Sequence, residues 1–516
     1  MSRITFFIVL LLSSLPLVAL RAGPLERWEF HLHFSTDVRS TPYSGRVYLF
    51  FSKSRSEPRL GPGWFNPDQF VALDVQQWQP DETLVISPTT EDLLGFPVDL
   101  GNMELDGYRA QAVIRFNPVP AKIGAGSGNG YSEVVLLDSE VTQRSVELVV
   151  NKLVAGREFR ETKWTRLLRV RSSLLSEFYG RDVYLNAAVN LPASYYDSPQ
   201  RAYPTIFSIP GFGGTHFSAS RNSPFREIND HGVEFLRVTL DPSCPRGHHV
   251  FADSENNGPV GRALVSELIG EFDRQYRSVA LPNARFLKGH SSGGWSSLWL
   301  QVTYPEFFGG TWSTAPDPVD FRDFQLINLY RPKEHMYLDG EDQERPLARR
   351  RGRVVLTFRG FAEMERVLGY GGQLHSFEAA FSPRGPDGLP LPVWDRKSGR
   401  VNTDVALSWK KFDIRLILEE NWPALGPRLL DKLHVFAGGQ DTFYLDGAAR
   451  LLQESLRQLS DNPVVEIHPD KTHGSLLTKQ LRQRIDQEMA TSFLKHHAAD
   501  VTVSDLQIDR HGSPEN

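Results

Sequence analysis

Residues 27 to 34 alternate: Phe30, Leu32 and Phe34 are apolar, and Glu29, His31 and His33 between them are polar. A period of two is that of a strand with one face buried. "GRVYLFF", "GYRAQAVIRF" and "RSVELVV" continue in this style, with Pro- and Gly-rich breaks between them and no convincing helical pattern. The region from about 24 to 165 is therefore predicted as a β-rich domain of β-sandwich type. His31 and His33 share one strand face. Without a third ligand they read as a polar face rather than a metal pair.

From about 170 the pattern changes. "DVYLNAAVNL" still alternates, but the runs at 205–209, 233–240, 284–287, 310–313, 433–437 and 464–467 are short and almost wholly apolar. Helical patterns lie between several of them. Leu264, Leu268, Phe272 and Tyr276 fall on one face, and Trp295, Leu298, Trp299 and Val302 on another that stops before Pro305. Continuous apolar strands alternating with amphipathic helices predict an α/β domain over residues 170–497, a mostly parallel sheet covered on both faces. The interval from about 320 to 428 interrupts the alternation and is rich in Gly, Pro, Trp and Phe. It is too long for a plain loop and reads as an insertion packed over the sheet edge or over an active site. Residues 498–516 are polar and read as a disordered tail. There is no internal repeat.

Composition adds constraints. Hydrophobic residues make up 40% and charged residues 23% of the 516, with a net charge of -5, which suits a globular protein and gives no support to nucleic-acid binding. The basic run "ARRRGR" at 348–353 reads as a solvated loop rather than a phosphate patch. At the N-terminus Arg3 precedes an apolar run at 4–20, broken by Ser13, Ser14 and Pro16, and Ala22 is a suitable last residue before cleavage. Residues 1–22 are thus expected to be a signal peptide, with the protein exported, periplasmic or secreted, and with no stable membrane span after cleavage. An uncleaved anchor is the alternative, at the short limit of about 17–25 residues for a span. Cys244 is the only cysteine, so no intramolecular disulfide forms and the core must hold the fold. Nothing around it resembles a cysteine nucleophile.

The chemistry is concentrated in "GHSSGGW". Gly289-His290-Ser291-Ser292-Gly293 fits G-x-S-x-G, after a predicted strand and before a predicted helix. The turn is sharp enough that residues two before and two after the nucleophile must be small. Centred on Ser291 these are Gly289 and Gly293, whereas centred on Ser292 one would be His290, which is too large. Ser291 is the predicted nucleophile. Ser296 and Ser297 lie further along the helix without a glycine frame. In this architecture the order Ser, acid, His places Asp441 of "GQDTFYLDG" and His473 of "DKTHGSLLT" in loops that follow late strands. Asp317 and Asp320 are alternative acids, and His468 an alternative base. "PGFGG", residues 210–214, after another strand, is suited to an oxyanion loop, with the backbone amides of Phe212 and Ser292 as donors. Asp253, Asn256 and Asn257 of "FADSENNGPVG" are candidate substrate-orienting residues, with capping of the helix that starts near Gly261 as their other role. Trp394 and Trp422 are candidate pocket or core aromatics. No metal or other cofactor is called for.

Over about residues 170 to 497 the chain resembles the esterase family of α/β-hydrolases that includes esterase D, feruloyl esterases and enterochelin esterases. The resemblance rests on "VNLPASYYDSPQRAYPTIFSIPGFGG", "GHSSGGWSSLWL", "GGQDTFYL" and "THGSLL". It implies Ser291, Asp441 and His473 as a triad, carboxylic ester hydrolysis through an acyl-enzyme, and no metal requirement. The N-terminal β-domain also occurs in enterochelin-esterase-like proteins, which does not establish a siderophore substrate. The expected substrate is a small-molecule or glycan-linked ester. Rival readings are a serine peptidase or an acyltransferase on the same fold and, from another class, a non-catalytic glycan- or wall-binding protein.

Overall fold

The computed structural model describes residues 27–120, 122–138, 144–225, 228–460 and 464–497. The expected signal peptide and tail lie outside the described residues. The first nine strands are β1 (Glu29–Phe34), β2 (Tyr43–Ser52), β3 (Phe70–Trp78), β4 (Leu84–Ile86), β5 (Leu94–Phe96), β6 (Arg109–Ile114), β7 (Gly130–Ser132), β8 (Val135–Leu136) and β9 (Ser145–Leu153). They form one sheet in the order β4-β1-β9-β7-β6-β2-β3-β5, with β8 paired to β6. The alternation seen in the sequence is the burial pattern. Phe30, Leu32 and Phe34 join Val47, Leu49, Phe51, Ala110 and Ala112 in one core.

The sandwich expectation is corrected in one respect: there are not two sheets but one that curls on itself. Phe30 of β1 and Phe51 of β2 have ring centroids 5.4 Å apart, although β9, β7 and β6 lie between their strands. In a flat sheet that separation would be about 19 Å. The other face of β2 and β3 is also buried, with Tyr48, Phe50, Phe70 and Ala72 packed against the later insertion.

The second sheet contains β10 (Thr165–Arg171), β11 (Tyr184–Asn190), β12 (Thr205–Ile209) and β13 (Leu236–Leu240), followed by a small hairpin, β14 (Ser243–Cys244) and β15 (Gly247–His248). It continues with β16 (Arg285–His290) and β17 (Gly310–Thr314). After the hairpin β18 (Pro346–Arg350) and β19 (Arg353–Thr357) come its last strands, β20 (Leu433–Gly438) and β21 (Val464–His468). Its order is β10-β11-β13-β12-β16-β17-β20-β21, antiparallel at the first two pairings and parallel from β13 to β21. This is the α/β-hydrolase arrangement. Neighbouring residues of a strand serve opposite cores. Phe207 and Leu287 face the helical segment from Val260 to Gln275, and Ile206 and Phe286 face the helix Lys479–His497. The chain leaves β12 toward one edge of the sheet and β16 toward the other. The crevice between their C-terminal ends is the switch point where ligands bind in open α/β sheets.

The insertion is shorter than its sequence suggested. The helix Ile414–Leu429, counted within the interval to 428, packs against the helices Ser292–Thr303 and Asp446–Leu459 as the crossover into β20. Asp413 caps it, accepting from the Leu416 N–H at 3.0 Å. "ARRRGR" is solvent-exposed from Arg350 to Arg353, as expected, but it forms the turn of the β18–β19 hairpin, and Ala348 and Arg349 are drawn into the structure.

Candidate active site

Ser291 sits between β16 and the helix Ser292–Thr303 at φ 60°, ψ -127°, a backbone conformation rarely adopted by a residue with a Cβ. The glycine frame has a direct cause. A Cβ on Gly289 would run into the carbonyl of Gly293, and one on Gly293 into the carbonyl of Ile209 at the end of β12. The tight turn lifts Ser291 over the end of the sheet. Its amide donates to Thr314 O at 3.0 Å, tying it to the neighbouring strand.

His473 and Asp441 come together from the loops after β21 and β20. His473 Nδ1 lies 2.9 Å from Asp441 Oδ2, and Asp441 is fully buried. Its other oxygen accepts the Phe443 N–H at 2.8 Å. Burial pulls the His473 imidazole downward, but the hydrogen bond and charge of Asp441, and the charge of Asp317, outweigh it and hold the group above its ordinary value. His290 packs on His473 with ring centroids 4.7 Å apart, and burial pushes it down to about 4, so it is neutral near pH 7. Arg349 of β18 braces the acid loop by donating from Nε to Asp441 O at 2.9 Å and by pairing with Asp446 at 3.1 Å.

Residues 211–214 form a turn closed by the Gly214 N–H on Gly211 O, with Gly213 at φ +76°. That bond does not use the Phe212 amide, and Phe212 lines the same cavity as Ser291. The Ser292 amide is the first of its helix, where N–H groups have no intrahelical acceptor. A buried histidine steadies this loop. His248 Nδ1 accepts the Val250 N–H at 3.1 Å, so Nε2 carries the proton donated to Pro210 O at 3.0 Å.

The alternatives separate by partner. Asp320 pairs with Arg322 and Arg415. His468 is a strand residue beside Glu466. Asp317 does not bond His473 but accepts the Ser292 hydroxyl on Oδ2 at 2.5 Å, with Oδ1 3.4 Å from Ser291 Oγ. Gln373 Nε2 donates to the same Oδ2 at 3.2 Å. Burial raises Asp317 to about 6. The Ser291 hydroxyl thus bonds Asp317 here, and it must turn from Asp317 to meet His473.

The expectation that Asp253, Asn256 and Asn257 orient substrate is corrected, since none lines the cavity at Ser291. Asp253 accepts the amides of Gly261 (2.7 Å) and Arg262 (3.2 Å), a cap supplied from a distance. Asn256 is buried with Nδ2 on Ser382 O, and Asn257 Oδ1 accepts from Cys244. Trp394 is a core residue whose indole N–H meets Tyr337, and Trp422 packs at the edge of that core.

The cavity holds about 270 Å³ and has aromatic walls. Phe361 and Phe377 come from insertion helices, Phe443 from the acid loop, and Trp64 from the N-terminal domain. Trp64 lies 5.8 Å from Phe212, 5.1 Å from Phe361 and 6.0 Å from Phe443, centroid to centroid. Sequence reasoning missed Trp64, Gln373 and Arg349. "PGWFNP" carries no periodic signal linking it to a turn more than two hundred residues on. Among the described residues no cluster of His, Cys, Asp and Glu is arranged to hold a metal ion, and no helix is long and apolar enough to cross a membrane.

No protein-family model and no curated protein matches the chain. Among solved structures it is similar to a ferulic acid esterase, with 11% identity, 64% of this chain and 99% of the other covered, and a TM-score of 0.38. It is also similar to an S-formylglutathione hydrolase from Agrobacterium tumefaciens, with 13% identity, 65% and 94% covered, and a TM-score of 0.37. A longer alignment, to dipeptidyl peptidase 4 of Porphyromonas gingivalis, covers 87% of this chain and 49% of that one at 12% identity and a TM-score of 0.35.

Proposed function

We propose that the protein is an exported serine hydrolase that cleaves carboxylic esters with an apolar acyl group through an acyl-enzyme. The observation that carries this reading is that His473, bonded to the buried Asp441, shares one cavity with a serine held in a strained strand-to-helix turn. In the proposed cycle the Ser291 hydroxyl turns from Asp317 to His473 Nε2, the nitrogen left free when Nδ1 bonds Asp441. His473 takes the proton as Ser291 Oγ attacks the carbonyl carbon. The Phe212 and Ser292 amides receive the oxyanion, each worth roughly 3–4 kcal/mol in comparable sites. His473 then gives its proton to the departing alcohol, and water, activated by the same imidazole, clears the acyl group. Asp441 stays ionised, fixing the tautomer and favouring the imidazolium.

The aromatic walls support an apolar acyl group, and Asp317 and Gln373 give the cavity a polar pole. A fluorophosphonate probe is expected to label Ser291. Ser291→Ala is expected to lose turnover by about 10 000-fold or more while keeping its fold by circular dichroism. Failure to label would favour the non-catalytic binding reading. Faster cleavage of peptide amides than of matched esters would favour the peptidase, and acyl transfer to an added alcohol outrunning hydrolysis would favour the acyltransferase.

A further inference from the structure

Asp317 is unexplained by the proposed cycle. It is 5% exposed and faces the cavity. Among the described residues it has no arginine or lysine partner, unlike the buried Asp320 and Asp413 with Arg415, or Asp486 with Arg237. Buried charges are normally paired. Its two oxygens are also unequal. Among the described residues Oδ2 takes the Ser292 hydroxyl and the Gln373 amide, whereas Oδ1 has only the long 3.4 Å contact with Ser291 Oγ. A carboxylate fixed by two donors on one oxygen presents the other, with lone pairs to spare, to whatever enters the cavity.

The position of Oδ1 defines what it can touch. In the acyl-enzyme the carbonyl carbon is bonded to Ser291 Oγ, and a substituent on the adjacent α-carbon lies within about 3–4 Å of that oxygen. With Oδ1 3.4 Å from Oγ, the acyl rotamer that turns this substituent toward Asp317 brings it within the roughly 2.7–2.9 Å reach of a charge-assisted hydrogen bond. The side chain of the same acyl group has the aromatic walls of Trp64, Phe361, Phe377 and Phe443 to fill.

We propose that Asp317 is a specificity-determining residue that binds the ammonium of an α-amino acyl group, so that the preferred substrates are esters of aromatic or large apolar α-amino acids. This rests on the serine hydrolase reading and narrows it. The ammonium supplies a direct ion pair, whereas His473 acts on Asp317 only through space. It also takes the oxygen that otherwise holds the Ser291 hydroxyl, leaving that hydroxyl to turn to His473. Recognition of the amine therefore raises kcat as well as lowering KM. The raised proton affinity that burial gives Asp317 fits a site completed by a cation.

The test compares the ethyl esters of phenylalanine, 3-phenyllactic acid and 3-phenylpropanoic acid, which differ only in an α-ammonium, α-hydroxyl or α-hydrogen. They are assayed by pH-stat on the full chain, with fluorophosphonate labelling of Ser291 run in parallel. The amino ester is expected to exceed the α-hydrogen ester in kcat/KM by about tenfold or more. N-acetylation should remove the advantage, and in Asp317→Asn the ratio should fall to about threefold or less. Equal rates for the three esters in the unaltered protein overturn the proposal without recourse to a variant. A hydroxy ester as good as the amino ester overturns it too, by assigning Asp317 to hydrogen bonding rather than charge. Labelling of Ser291 with no cleavage of any of the three sinks this proposal alone. Absence of labelling sinks the hydrolase reading and this proposal with it.

Discussion

At the scale of single residues, two ionisable groups of the cavity are raised, for different reasons and with different consequences. His473 is held above its ordinary value by Asp441 and Asp317, and the proposed base must be neutral to act. Protonation therefore extends to higher pH than for a free imidazole, and kcat/KM is expected to fall with decreasing pH through a midpoint above about 6.5. Asp441→Asn should move that midpoint down, and an acid limb well below 6 in the parent would count against His473 as the base. Asp317 is raised as well, and its consequence is for stability. Burial raises it from 3.8 to about 6, so the folded chain binds this proton more tightly than the unfolded chain. Stability is thus lost as pH rises from about 4 to about 6, by an amount of order 2–3 kcal/mol. Asp317→Asn should melt closer to the parent at pH 4 and gain on it by pH 7, and a melting difference independent of pH would contradict that. The strained turn at Ser291 was legible from the chain alone because its constraint is local, with Gly289 and Gly293 both within two residues. Which carboxylate reaches His473 is not local. Asp317 and Asp441 both follow strands of the same sheet, and only the packing of the loops separates them.

At the scale of elements, the strands of the second sheet were readable because each is an apolar run buried on both faces, as Ile206 and Phe207 show in opposite cores. The helix Ile414–Leu429 was not, because Pro423 and Pro427 lie inside it and read as breaks. Its Asp413 cap and the buried Ile414, Leu418 and Leu429 keep the helix despite the lost donors. The hairpin around "ARRRGR" shows a different limit. Its charge suggested solvent, yet Arg349 is the brace under the acid loop, and a guanidinium bonding a carbonyl and a carboxylate has no periodic signature. Arg349→Ala is expected to lower kcat about tenfold with little change in KM, because it loosens Asp441 without touching the cavity walls. Arg349→Lys should restore little of that loss, since lysine cannot make both contacts in a fixed fork. An unchanged kcat in Arg349→Ala would show that the acid loop holds itself.

At the scale of the whole molecule, the N-terminal sheet is a wall of the site as well as a neighbour of it. Arg46 donates to the carbonyls of Arg366 and Val367, and Tyr48 to that of Leu368, so strand β2 holds the C-terminal end of the insertion helix Phe358–Leu368. A cation there also suits the negative end of the helix dipole. The same helix carries Phe361, against which Trp64 packs, so sheet and insertion close the cavity together. The sequence announced both modules but not their meeting, because docking depends on the outward faces of β2 and β3, which in isolation look like spare apolar positions. If the sheet shapes the acyl site, truncating its one indole in the cavity should be felt by large acyl groups and not by small ones. Trp64→Ala is expected to lower kcat/KM for 3-phenylpropanoyl esters about tenfold, given three aromatic contacts worth about 0.5–1.5 kcal/mol each and incomplete additivity. Acetyl esters, too short to reach that wall, should stay within about twofold. Equal losses on both esters would mean that Trp64 supports the fold of the site rather than its selectivity, and the N-terminal sheet would then be a prop rather than part of the pocket.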